Sequence, residues 1–215
     1  MVRGLRDAVV GAVLVAGLVA GAGCTPNGGG RAAPPAVSLT GDQVERALPA
    51  AVGGAVAWQP QHGYPVVSED GQLSAYCDNA NPACEGVTLF GRSGFAAKPR
   101  QDVRTPHLTF ELVVYDTAAH AERGVERWVA ALQKREDREL KRVKLTRKPI
   151  DVDSGADSTD AWMVEKEYVR MVLRVGAVVA LVRSSAFDDR AEMEKAARLQ
   201  VDRVRAVAEG GKAGG

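Results

Sequence analysis

His107-Leu-Thr-Phe-Glu-Leu-Val-Val-Tyr115, followed at once by Asp116-Thr-Ala-Ala-His-Ala-Glu-Arg-Gly-Val-Glu-Arg-Trp128, decides the fold of this 215-residue chain. In the first stretch Leu108, Phe110, Leu112 and Val114 fall at every second position, so a strand here has one apolar face. Asp116 or Thr117 then caps a helix. Its apolar residues, Ala118, Ala121, Val125, Trp128 and Leu132, recur at alternating spacings of three and four. That spacing is the stripe of an amphipathic helix lying on a sheet.

The same two periods recur on either side. Trp162 to Arg174 and Ala177 to Ser185 read as two strands joined at Val175-Gly176-Ala177, a hairpin with Val169, Met171, Leu173 and Val175 facing inward. Asp188 or Asp189 caps a last helix whose face is Met193, Ala197, Val201, Val204 and Ala208. Leu140 to Ile150 reads as an edge strand, with Val143 and Leu145 inward and cations around them. Upstream, Thr40 and Gln43 form a capping box that opens a short helix carrying Val44, Ala47 and Leu48. Residues 56–81 are loop-rich, with Trp58 and Tyr64 laid over the core. Gly86 to Phe95 reads as a strand broken by a bulge or bend at Gly91. This order predicts an α+β domain: an antiparallel sheet with helices packed on one face.

The first residues carry a different signal. Arg3 and Arg6 precede an apolar stretch, Ala8 to Ala20, and the small residues Gly21, Ala22 and Gly23 lead to Cys24. A basic start, a short apolar core and a small-residue processing site make a secretory signal peptide. The cysteine placed straight after them resembles the lipobox of bacterial lipoproteins. The resemblance implies that Cys24 is acylated, palmitate being the expected chain, and becomes the mature N-terminus on the outer side of the cell membrane. A cleaved secretory leader and an uncleaved anchor are the alternatives. The expected organisation is a signal peptide over 1–23, a lipid anchor and Gly/Pro-rich tether over 24–38, one domain over 39–209 and a disordered tail over 210–215.

With Cys24 lipidated, Cys77 and Cys84 remain as a pair. The six residues between them, Asp78 to Ala83, are turn formers, and a disulfide across so short a loop is expected in an oxidising compartment. Zinc is the competing use of such a pair, and no His or further Cys lies close by.

No catalytic constellation emerges, and neither an enzyme nor a cofactor is expected. His62, His107 and His120 match no metal-binding spacing, and the chain has no nucleophile elbow, phosphate-binding loop or His-Glu-x-x-His. Asp151, Asp153, Asp157 and Asp160 read as a solvated loop rather than a calcium site. The basic run Lys134 to Lys148 is diluted by Glu136, Asp137 and Glu139 and reads as a solvated edge. Export and a formal net charge of +1 argue against nucleic acid as a partner. One set of residues stands out for ligand binding: Tyr168, Arg170 and Arg174 alternate along one strand, and Arg183 on the next lies near them. Such a row suits an acidic ligand or partner.

Val113-Val-Tyr-Asp-Thr-Ala-Ala-His-Ala121 leading to Trp128, then Val172-Leu-Arg-Val-Gly-Ala-Val-Val179 leading to a closing helix, resemble the lipoproteins and kinase-linked extracellular sensor domains of actinobacteria. The resemblance spans roughly residues 107 to 208. It implies a disulfide-bonded α+β module that binds ligands or partners outside the cell. The expectation is therefore a membrane-anchored surface lipoprotein, a non-enzymatic binding or sensor-like module for an envelope ligand or protein partner. The alternative is a lipid or glycolipid carrier with an apolar cavity between sheet and helices.

Overall fold

Gly176 turns the chain between two strands whose every second residue is fully buried, and the rest of the molecule is built around that hairpin. The computed structural model describes residues 37–69, 82–98 and 104–211. Among them are eight strands, all antiparallel to their neighbours in one sheet, and three α-helices, so the α+β class is as expected. The strands are β1 (Trp58–Pro60), β2 (Val66–Glu69), β3 (Val87–Ala97), β4 (His107–Tyr115), β5 (Arg147–Pro149), β6 (Ser158–Val164), β7 (Tyr168–Val175) and β8 (Val178–Ser185). Their order is β1-β3-β4-β8-β7-β6-β5, with β2 also paired to β3. The helices are α1 (Gly41–Ala47), α2 (Ala118–Val143) and α3 (Arg190–Ala208).

Alternation along the strands sends two apolar sets to opposite faces. Leu108, Phe110, Leu112 and Val114 of β4 join Val169, Met171, Leu173 and Val175 of β7 and meet α1 and α3. Val113, Tyr115, Val172, Val179 and Leu181 point the other way and meet Ala121, Val125 and Trp128 of α2. The helices therefore do not gather on one face, as the element order had implied; α2 lies across the sheet from α1 and α3. The reason is in β4 and β8, whose runs Leu112–Tyr115 and Val178–Val182 are buried at every position. A sheet buried on both sides needs a layer on both sides.

Caps form where the sequence placed them. Thr117 Oγ1 accepts from the His120 N–H at 3.1 Å, and Asp189 Oδ1 from the Glu192 N–H at 3.1 Å. Thr40 N donates to Gln43 Oε1 at 2.8 Å. Three further expectations change. Leu140 to Ile150 is not a strand: α2 continues to Val143, which is 52% exposed, and only Arg147–Pro149 is extended, at the sheet edge. Leu140, not Val143, is the buried residue of that last turn, and Lys141 and Arg142 there suit the negative end of the helix dipole. Trp162 to Arg174 is two strands rather than one, because Lys166 adopts a left-handed turn (φ 62°) between β6 and β7. Finally, β3 runs straight through Gly91, and its register shift lies between Val87 and Leu89. Gly91 serves packing: a Cβ there would overlap Val44 of α1.

Cys24 and Cys77 lie outside the described residues, as do the signal peptide, most of the tether and the end of the tail. Cys84 ends a single 3-10 turn, Pro82–Cys84. Among the described residues no helix is long and apolar enough to cross a membrane.

Candidate functional site

β7 and β8 pair with Arg170 directly opposite Arg183, and Tyr168 two residues before Arg170 shares its face. The structure thus brings together three of the four residues in the expected binding row. Arg174 is not with them. It lies four residues along β7, about 13 Å away at strand rise, where its guanidinium is 3.6 Å from Asp157 Oδ2 and donates to Gly176 O at 3.4 Å.

The row does not stand on an open sheet face, because α2 crosses it. Glu136, from the third-last turn of α2, is only 9% exposed and receives Arg170 Nε at 3.1 Å and Trp162 Nε1 at 2.8 Å. Arg147 approaches the same carboxylate at 3.8 Å and pairs with Asp137 at 3.1 Å. Arg170 also donates to Ser184 O at 3.2 Å and stacks over the Tyr168 ring, 4.5 Å from its centroid.

On the other side of Arg183 is Glu111 of β4, also 9% exposed. Its Oε1 accepts from Arg183 Nη2 and lies 3.4 Å from Arg92 Nε of β3. Arg92 sits 5.5 Å above the Tyr64 ring. Gly94, two residues along β3, leaves the space that Gln61 and Tyr64 fill, and Gln61 Nε2 pairs with His107 Nδ1 at 2.9 Å. The result is a strip of sheet bounded by residues 61–64 on one side and α2 on the other, with Arg92, Arg183 and Arg170 along it. Solvent reaches all three guanidinium side chains, at 34%, 24% and 21% exposure.

Charge and hydrogen bonding are both unbalanced here. Along the strip three guanidiniums share two carboxylates, one of which Arg147 also approaches, and Arg92 and Arg183 draw on the same oxygen of Glu111. The Nε atoms of Arg92 and Arg183 are buried and make no hydrogen bond, as is also true of the Nε of Arg174 at the other end of β7. Burial lowers the pKa of Arg183; Glu111 opposes that shift, while the charges of Arg170 and Arg92 add to it. Burial raises the pKa of the Tyr168 hydroxyl, and the Glu136 carboxylate raises it further.

Sequence reasoning found Tyr168, Arg170 and Arg183 because they sit on one hairpin. It missed Arg92, read as part of a loop or bulge, and Glu136, read as diluting a solvated basic run. Glu111 was passed over inside an apolar strand, although a lone acid at that position was the one signal for a buried cationic partner.

The other expected groups have structural roles. Asp157 receives the Gly176 N–H at 2.7 Å and Arg205 at 3.5 Å, and Asp153 receives Arg198 at 2.6 Å. Among the described residues no group of His, Cys, Asp and Glu could hold a metal ion. The interface of α3 with the sheet is filled by Met193, Ala197, Val201 and Val204, each at most 1% exposed. A cleft of about 630 Å³ lies beside α1, lined by Leu48, Pro49, Pro65 and Arg203 among others, and does not enter that interface.

No family model matches the chain, and no curated protein matches it. Among solved structures it is similar to the extracellular domain of PknH from Mycobacterium tuberculosis, with 16% identity and a TM-score of 0.40, over 79% of this chain and 93% of that one.

Proposed function

We propose that this protein is a non-enzymatic binding module facing out of the cell, held at the membrane by lipid on Cys24, with the arginine strip as its working surface. A disulfide between Cys77 and Cys84 belongs to the same reading, bracing the turn that precedes β3. The ligand is anionic. The observation that carries this is the shortage of acceptors around Glu111: one carboxylate oxygen serves Arg92 and Arg183, and the buried Nε of each makes no hydrogen bond, that of Arg92 reaching only ion-pair distance. A half-buried site with a surplus of cationic donors is stabilised by whatever brings oxygen acceptors and negative charge to it.

Ligand binding to the folded state alone raises the unfolding temperature. Thermal unfolding of the full chain in detergent, read against fractionated cell-envelope extract, tests the proposal. A fraction should raise Tm for the wild type and not for Arg92→Gln. If no fraction acts, or if one stabilises both versions equally, the strip is not the binding surface.

A further inference from the structure

We infer that the group received by the strip is a phosphoryl group rather than a carboxylate, bound where Arg92, Arg170 and Arg183 approach one another; this rests on the strip being the binding surface. A carboxylate is planar and accepts at two oxygens, so two donors satisfy it; Glu136, with Arg170 on Oε1 and Trp162 on Oε2, is that arrangement already made within the protein. Glu111 between Arg92 and Arg183 is a second carboxylate on the strip, with both arginines on its Oε1. An incoming carboxylate would repeat contacts the site already contains.

What the strip adds is a third cation. Arg170 lies opposite Arg183 on the neighbouring strand, and Arg92 comes from two strands away on the other side, across β4. The charges of Arg170 and Arg92 are both felt at Arg183. Three forks approaching from different strands match a tetrahedral oxyanion with three free oxygens and close to two negative charges. The edge of the strip away from α2 carries Tyr64, Gln61 and His107, and half-buried Thr109 of β4 lies directly opposite Arg183 on the floor. None of these is an acid that would repel such a ligand.

Titration calorimetry of the full chain in detergent, at constant ionic strength and neutral pH, decides this with inorganic phosphate and acetate as probes. Phosphate should bind at least tenfold more tightly than acetate, and Arg92→Gln should weaken phosphate at least fivefold. Arg92 is the most exposed of the three arginines, so this change is the one least apt to disturb folding. Arg174→Gln is the control and should leave the affinity unchanged. A second arm adds phosphatidylglycerol or phosphatidylcholine to the detergent micelles as competitors. Displacement of phosphate by the former alone makes a lipid headgroup the source of the phosphoryl group; no displacement makes the source a soluble or wall-borne phosphate.

Acetate binding as tightly as phosphate overturns the inference, as does phosphate binding that ignores Arg92. If phosphate fails but an envelope fraction still stabilises the protein in an Arg92-dependent way, only the phosphoryl assignment falls. If that dependence is also absent, the binding reading falls with it.

Discussion

Arg170 and Arg183 face each other directly across β7 and β8, and each is held by a carboxylate from a different element, Glu136 of α2 and Glu111 of β4. Like charges in direct cross-strand register are unfavourable. The pair is tolerated because each cation has a nearly buried counter-ion. Glu136→Ala removes one of these and leaves Trp162 Nε1 and Arg170 Nε without their acceptor. Breaking a buried pair costs about 3–5 kcal/mol; with Arg170 partly solvated, about 2 kcal/mol is expected, and Glu136→Gln should recover part of it by keeping an acceptor for Trp162. Urea denaturation of the three proteins side by side checks the order wild type, Gln, Ala.

Gly124 sits inside α2, in its second turn, where alanine normally gains about 1 kcal/mol over glycine. The opposite sign is expected here. A Cβ at Gly124 would overlap the Tyr115 hydroxyl, which donates to Ala83 O at 2.6 Å and accepts from Trp128 Nε1 at 3.0 Å. Gly124→Ala should lower stability by about 1–3 kcal/mol, the cost of overpacking, and the near-ultraviolet circular dichroism of Trp128 should change with it. A stabilised variant would show that α2 can slide away from the sheet.

The same hydroxyl gives a pH dependence. Burial raises the pKa of Tyr115 from the ordinary 10.0 to about 12. The folded state holds this proton more tightly than the unfolded chain, so the stability it contributes is complete below pH 10 and is lost as pH rises toward 12. Urea midpoints measured from pH 9 to 12 should fall across that window. Tyr115→Phe should be less stable at pH 9 and should fall less steeply. Tyr168, also raised, persists in the variant and keeps some slope.

Gln200 is fully buried in α3; its amide donates to Ala47 O at 3.0 Å, while its Oε1 has no partner. Ala47 O also accepts from Arg203 Nε at 3.3 Å. Gln200→Met removes the unpaired acceptor, keeps the volume and leaves the carbonyl bonded, so a change within about 1 kcal/mol of wild type is expected. A loss beyond 2 kcal/mol in urea denaturation would mean that the amide bond carries the α1–α3 contact.

What was legible in the sequence was local. The strand at β4, the Thr117 and Asp189 caps, the Gly176 hairpin with its inward face, and the face of α3 from Met193 to Val204 all come from spacing within one segment. Layering was not legible, because the second apolar set of β4, Val113 and Tyr115, is hidden among residues that alternation assigns to the solvent side. The last turns of α2 were lost among charged residues whose stripe is carried by Glu136 and Leu140 alone. For the candidate site the difference is one of distance along the chain. Tyr168, Arg170 and Arg183 belong to one hairpin, whereas Arg92, Glu111 and Glu136 meet them only through strand pairing and the crossing of α2.

The Nε–H resonances of Arg92, Arg170 and Arg183, followed by proton–nitrogen correlation spectroscopy while phosphate is titrated into the full chain in detergent, test the binding surface most directly. These three are expected to move together along one binding curve, while that of Arg174, paired with Asp157 at the other end of β7, stays in place. If Arg174 moves as far as the others, or none of the three moves at any concentration, the arginine strip does not receive phosphate.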